Sequence, residues 1–235
     1  MKKAIFLLLP FVFGCASYTT PGSGVSLAGI SDVSIEEAFS REPAASFPAL
    51  AAIARVQAAG YRSRSNSGYG NGSFSVVTTR DIETEADFSA LGSLQGITAV
   101  APLTRILIPS NLASIKDLRI SAAQLKADLL IVYTIDTAFR TEVGKVGPLQ
   151  TIALGFLPNR KSHVDATTSA MIVAVRSGFI YGTVEATSTE SQRSDFWGTQ
   201  DAIEAARFSA EQASFKEALA QLTSLIDEIS RTRIK

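Results

Sequence analysis

Hydrophobic residues recur along this chain at two different spacings, and the switches between them mark out its elements. Leu112, Ile115, Leu118, Ala122 and Leu125 lie three and four apart, which predicts one face of a helix. That pattern stops at Ala127-Asp128. Residues 129–135 (LLIVYTI) are then almost continuously apolar, which predicts a central strand covered on both faces. Residues 165–176 (DATTSAMIVAVR) and 179–187 (FIYGTVEAT) flank Ser177-Gly178, and this turn chemistry predicts a hairpin. In residues 201–229, Phe215, Leu219, Leu222, Ile226 and Ile229 alternate steps of four and three. They predict a long helix packing along a sheet or on a partner.

The first half is less regular. Ser34-Ile35-Glu36-Glu37 fits a capping box and opens a short helix that must stop before Pro43. Residues 51–58 (AAIARVQA) alternate small or apolar residues with polar ones, as a first strand does. Residues 61–73 (YRSRSNSGYGNGS) have the composition of a mobile surface loop. Residues 74–79 (FSVVTT) are rich in β-branched side chains and predict a second strand. Residues 84–94 look helical with Thr84 as cap, and 97–103 form a short strand ending near Pro102. After the first short helix the order is strand, strand, helix, strand, helix, strand, hairpin, helix. That is an α/β fold, a mixed β-sheet packed with helices and closed by a long C-terminal amphipathic helix.

The amino terminus has its own pattern. Lys2 and Lys3 precede an apolar run of ten residues, 4–13 (AIFLLLPFVF). A spanning helix needs about 20 residues, so the run has signal-peptide length instead. Val12-Phe13-Gly14-Cys15 follows, and here the chain resembles the lipobox of bacterial lipoproteins: an aliphatic residue, a variable one, a small one, then the lipidated cysteine. Phe13 is bulkier than the residue usual at its place. The resemblance implies removal of residues 1–14 and attachment of acyl chains, palmitate among them, to Cys15. At about 0.8 kcal/mol per buried methylene, more than one chain makes a durable anchor. Ala16 is not the aspartate that favours inner-membrane retention, so the resemblance implies the outer membrane, on its periplasmic face. Residues 16–31 are small, polar and glycine-bearing, as a flexible tether would be. The expected division is therefore signal peptide 1–14, lipidated Cys15 and tether 15–33, and one periplasmic domain 34–235.

Between Asp128 and Thr187 the chain resembles an envelope module in which a helix, an apolar strand opening on Ala-Asp, a long connection and a hairpin succeed one another. Ala127-Asp128-Leu129-Leu130-Ile131-Val132 is similar to its central strand entry. Val173-Ala174-Val175-Arg176-Ser177-Gly178-Phe179-Ile180-Tyr181-Gly182 is similar to its hairpin. The module occurs in curli-secretion lipoproteins, in lipoprotein activators of penicillin-binding proteins and in the amino-terminal domain of TolB-like proteins. It implies a scaffold, adaptor or activator that binds another envelope protein without catalysis. The curli-secretion likeness also implies an alternative, a subunit of an oligomeric outer-membrane secretion channel. In that case residues 150–157 (QTIALGFL), with Ile152, Leu154 and Phe156 on one face, would pair with residues 164–175 as a membrane-entering hairpin.

Composition narrows the remaining possibilities. At 46% hydrophobic and 19% charged, the 235-residue chain can bury a core and is not a disordered polymer. Loss of Lys2 and Lys3 leaves 20 basic against 22 acidic residues, about −2, which advertises no nucleic-acid partner. Cys15 is the only cysteine, so no internal disulfide can form. His163 could be drawn into a Ser-His-Asp arrangement with Asp165, but no nucleophile-elbow motif precedes a helix. One histidine and one committed cysteine make no metal cluster. Gly68-Tyr69-Gly70-Asn71-Gly72 lacks the Lys-Ser/Thr of a phosphate-binding loop. Asp136, Glu142, Glu185 and Glu190 could supply the carboxylate pair of a cell-wall hydrolase or carbohydrate-binding protein. Carboxylates alternating with Thr and Ser more commonly form a wet sheet face. Trp197, the only tryptophan, is either an interface anchor or a pin for the last helix. The expectation is no enzyme, with no catalytic, cofactor-binding or metal site.

Overall fold

The computed structural model describes residues 23–29, 34–143, 160–194 and 199–233. Cys15, most of the 150–157 insert's surroundings and Trp197 lie outside those residues, as does the insert itself. The elements are α1 (Ile35–Ser40), β1 (Ala49–Ala58), β2 (Asn71–Gly72), β3 (Phe74–Val77), α2 (Glu85–Gly92), β4 (Ile97–Pro102) and β5 (Asn111–Leu112). They continue with α3 (Ile115–Gln124), β6 (Leu129–Val143), β7 (Arg160–Ala174), β8 (Ile180–Ser194) and α4 (Thr199–Arg233).

Six strands join in one mixed sheet of order β3-β1-β6-β7-β8, with β4 also paired to β1. β1 runs parallel to β4 and β6, while β6, β7 and β8 are successively antiparallel. The apolar run of β6 is explained by its place in the middle. Leu129, Ile131, Tyr133 and Ile135 face one core with Ile53, Ile172, Phe215 and Leu222. Leu130 and Val132 face a second core with Ala54, Val76, Leu118 and Ala122. α4 covers the first face and α3 the second, so alternate residues of β6 both find apolar cover.

Local chemistry starts the helices where it was expected to. The Ser34 hydroxyl accepts from the Glu37 amide at 3.2 Å, and Thr84 forms a reciprocal capping box with Asp87. α3 begins three residues later than the apolar spacing suggests. Leu112 belongs to β5, and Asp117 accepts from the Ala113 and Ser114 amides at the helix start.

Three expectations are corrected. Residues 23–29, assigned by composition to the tether, lie on the sheet. The Gly24 and Val25 amides donate to Asp136 Oδ1 (3.2 Å) and Thr134 Oγ1 (3.1 Å), and Val25 and Leu27 pack on the second core. The glycine loop is tied down rather than loose, because Asn71 and Gly72 pair with Asn111 and Leu112. Gly72 has φ +118°, and a Cβ there would meet the Leu112 carbonyl oxygen at 2.3 Å, so only glycine fits. Finally, residues 164–174 of the expected 164–175 arm are paired on both sides by described strands, and the 150–157 insert lies outside the described residues. Val164 opposes Phe139 of β6 and Glu190 of β8, leaving neither edge of β7 for another strand.

Candidate functional site

Between the first half of α4 and the sheet lies a layer of buried charge. Arg55, in the middle of β1, reaches Asp81 at 3.1 Å, Glu83 at 3.5 Å and Glu211 at 3.8 Å. Arg207 donates to Glu211 at 2.7 Å and to Glu204 at 2.5 Å. Hydroxyls complete the layer: Tyr133 donates to Glu83 (2.6 Å), Thr137 donates to Glu211 (2.8 Å), and Thr168 and Ser214 share a bond at 2.8 Å. Arg55, Glu83, Arg207 and Glu211 are all buried, two cations against two anions. Burial by itself would lower the Arg55 pKa, but the attraction of Glu83 and Glu211 outweighs it and the net shift is upward. Among the described residues Arg55 Nε and Glu83 Oε2 have no hydrogen-bond partner, and both residues line a space of about 20 Å³. That space has room for about one water and no larger ligand. The layer holds α4 on the sheet, and on its solvent side Asp81, Glu204 and Arg207 also line an open hollow of about 490 Å³.

Sequence reasoning passed over these four residues. Glu204, Arg207 and Glu211 stand three and four apart on a helix, a spacing shared with ordinary solvated ion pairs. The one visible signal was Arg55, a cation among small and apolar residues in a strand.

The same layer sets an alkaline limit on stability. Burial first, then the neighbouring Glu83 carboxylate, pushes the Tyr133 phenol well above its ordinary value, and burial raises Tyr61 as well. A raised folded-state pKa contributes stability that is complete below the unfolded value, about 10. It is lost as pH rises through the folded value, because the unfolded chain releases the proton first. Ultraviolet titration of the five tyrosines should therefore show a late-ionising fraction that coincides with unfolding. Tyr133→Phe should diminish that fraction; an unchanged titration curve would contradict the placement.

The residues singled out for chemistry lie mostly on the opposite face of the sheet, beyond α3. Asp165 accepts from Thr189 at 2.7 Å with one oxygen and pairs with Arg140 through the other. Those contacts, Thr189 first and Arg140 second, hold its carboxyl below the ordinary range. His163 sits between Arg140 and Ser191 in the register, two residues from Asp165 on the same strand, and its charge adds a smaller lowering to the Asp165 carboxyl. Asp136 accepts from the Gly24 amide, and Glu185 accepts from Ser169 at 2.9 Å, with β7 between them. Glu190 opposes Val164, whose side chain belongs to the α4-side core. The side chain of Glu142 lies outside the described residues. Of the three described carboxylates, Asp136 and Glu185 thus share one face with β7 between them, and Glu190 lies on the other.

Two features remain open to a partner. A groove of about 760 Å³ runs between segment 23–29, α1 and β7–β8. Leu27, Met171 and Ile180 form apolar walls, and Thr134, Ser169 and Glu185 contribute polar groups. Of the suggested catalytic residues, Glu185 lines it and Asp136 and His163 do not. Beside it, β8 ends the sheet: among the described residues the far edge of this fifteen-residue strand pairs with no other strand. Unpaired amide and carbonyl groups along such an edge can accept an added strand.

The fold and site define a helix-backed, mixed-sheet α/β domain in which, among the described residues, the β8 edge is unpaired beside an amphipathic groove. No family model matches the chain, and no curated protein matches it. Among solved structures it is similar to a Neisseria meningitidis lipoprotein, with 12% identity over 67% of this chain and 92% of that one, at a TM-score of 0.31. It is similar to a Xanthomonas campestris protein of the DUF330 family, with 16% identity over 82% and 87% of the two chains and a TM-score of 0.29. It is also similar to a protein of Caulobacter crescentus assigned as a lipoprotein. There the identity is 13% over 49% of this chain and 77% of that one, and the TM-score is 0.29. Likenesses this distant carry no argument about activity. Among the described residues, no helix is long and apolar enough to cross a membrane.

Proposed function

We propose that this chain is an envelope lipoprotein, held to the outer membrane by acylated Cys15, whose α/β domain binds another envelope protein without catalysing a reaction. The anchor rests on the lipobox-like Val12-Phe13-Gly14-Cys15 behind a ten-residue apolar run. The binding role rests on one structural observation, the free edge of β8 alongside the groove. An extended segment laid on that edge would gain main-chain hydrogen bonds, and its alternate side chains would enter the groove. Among the described carboxylates, Asp136 and Glu185 hold the Gly24 amide and Ser169 while Glu190 lies on the other face, which favours binding over catalysis.

Two measurements test the two halves separately. Radiolabelled palmitate should enter the wild-type protein and not Cys15→Ser; equal labelling of both removes the anchor. A photo-crosslinking amino acid at Thr183 or Thr187, on the outermost strand, should capture a specific envelope protein in cells. The same group at Ala213, on the exposed side of α4, should not. Identical capture from both faces, or none from β8, would end the proposal for the edge.

A further inference from the structure

We propose that the end of the molecule built from α1 and α3 lies against an anionic lipid bilayer. α1 buries none of its residues, and Ile35 and Phe39, one turn apart, are 78% and 89% exposed. Just beyond α1, Arg41 donates to the Gly178 carbonyl at 3.1 Å, which brings the helix to the turn between β7 and β8. Arg119 of α3 reaches the same turn, donating to the carbonyls of Val175 (3.0 Å) and Arg176 (2.9 Å). Beside it Lys116, Lys126 and Arg176, with the half-exposed Ile120, line a hollow of about 560 Å³ that no carboxylate lines. The acids nearby stand outside the hollow: Glu36 and Glu37 on α1, the latter paired with Arg41, Glu42 after it, Asp117 on the Ala113 and Ser114 amides, and Asp128 on the Leu50 amide. The cations are close enough to be felt. Burial first and Arg41 second hold Arg119 below the ordinary guanidinium range.

A charge-balanced chain that gathers four cations around one hollow, near an aliphatic and an aromatic side chain held in water, has the makings of an interfacial surface. The cations attract anionic headgroups, and Ile35, Phe39 and Ile120 enter the boundary beneath them. A soluble polyanion would satisfy the charges and leave the apolar side chains exposed. Segment 23–29 lies on the same sheet face as α3, and Ala28 and Ala38 line one groove. This part rests on the reading of Cys15 as the anchor, which holds the domain within reach of a bilayer: residues 16–22 can span at most about 25 Å, and Gly24 lies at Asp136, toward the other end of β6 from the turn. The edge of β8 then stays free for a protein partner.

The full chain, purified in detergent, would be reconstituted with phosphatidylcholine vesicles, with and without phosphatidylglycerol. A genetically encoded environment-sensitive fluorophore would replace Ile120 or, as a control on the far side, Ala213. We expect a blue shift at position 120 only when phosphatidylglycerol is present, and none at 213. Lys116→Gln, Lys126→Gln and Arg176→Gln, all at exposed positions, should each lower the docked-to-undocked ratio roughly fivefold. Phe39→Ser should lower it as well. Emission at 120 that ignores phosphatidylglycerol overturns the proposal. So does a shift that depends on protein concentration without lipid, which would place a second copy on the patch. Flotation with plain phosphatidylcholine reports the anchor separately. Flotation without the shift retains the anchor and removes the docking face; the shift without flotation does the reverse.

Discussion

Replacing Arg55 by methionine is expected to destabilise the fold by about 3–5 kcal/mol, the range for breaking a buried ion pair from one side. The aliphatic stem is retained, so little packing is lost. What changes is that Glu83 and Glu211 lose the guanidinium that lies 3.5 and 3.8 Å from them. Glu83 is then left buried with the Tyr133 hydroxyl as its remaining donor among the contacts described. The distinguishing result comes from a second change. Arg55→Met combined with Glu83→Gln removes the stranded charge and should recover a large part of the loss, as a non-additive pair in a double-mutant cycle. Denaturant unfolding of the four proteins gives the coupling directly. Strict additivity would mean that the two residues do not share a network, and the account of the polar layer would fail.

The second large effect is expected at Phe215. Its side chain is buried in the α4-side core, with its ring 5.3 Å from that of Tyr133. Phe215→Ala should cost about 3–5 kcal/mol through lost burial and the cavity left behind. Phe215 lies where α4 changes character. Toward the C-terminus the helix presents Leu219, Leu222, Ile226 and Ile229 to the sheet; toward the N-terminus it presents Ala206, Arg207, Ala210, Glu211 and Ser214. Loss of the ring should therefore also loosen the polar layer beside it. In hydrogen exchange, amides around residues 206–214 should lose more protection in Phe215→Ala than in Leu222→Ala. Equal loss along the helix in both variants would show that the two halves unfold as one unit, with no special role for the ring.

The long strands show where periodicity stops being informative. Residues 129–135 were legible because both faces of β6 are apolar there. The strand continues to Val143 through Asp136, Thr137, Ala138, Phe139 and Arg140, where one face is wet and the other meets the polar half of α4. Neither face then carries a hydrophobic stripe, and the strand signal fades although the hydrogen-bonded ladder persists. β7 and β8 likewise run past the predicted hairpin, back to Arg160 and on to Ser194, with the ladder unbroken. Segment 23–29 was read as tether for a related reason. Its attachment runs largely through backbone amides to Thr134 and Asp136, and the amide of a glycine looks the same in a tether as on a sheet.

The order of elements, the central place of β6, the hairpin at Ser177-Gly178 and the stripe of α4 from Phe215 onward were determined by the linear pattern alone. Each depends on neighbours in sequence, through side-chain periodicity, capping or turn geometry. The pairing of Arg55 with Glu83 and Glu211 was decided only in three dimensions, as were the open edge of β8 and the gathering of Arg41, Arg119 and Arg176 at one turn. These contacts join residues far apart in the chain, and a charge looks the same in sequence whether water or another charge satisfies it. Burial is a property of the folded surface, and it separates the arginine that fastens α4 from those that face solvent.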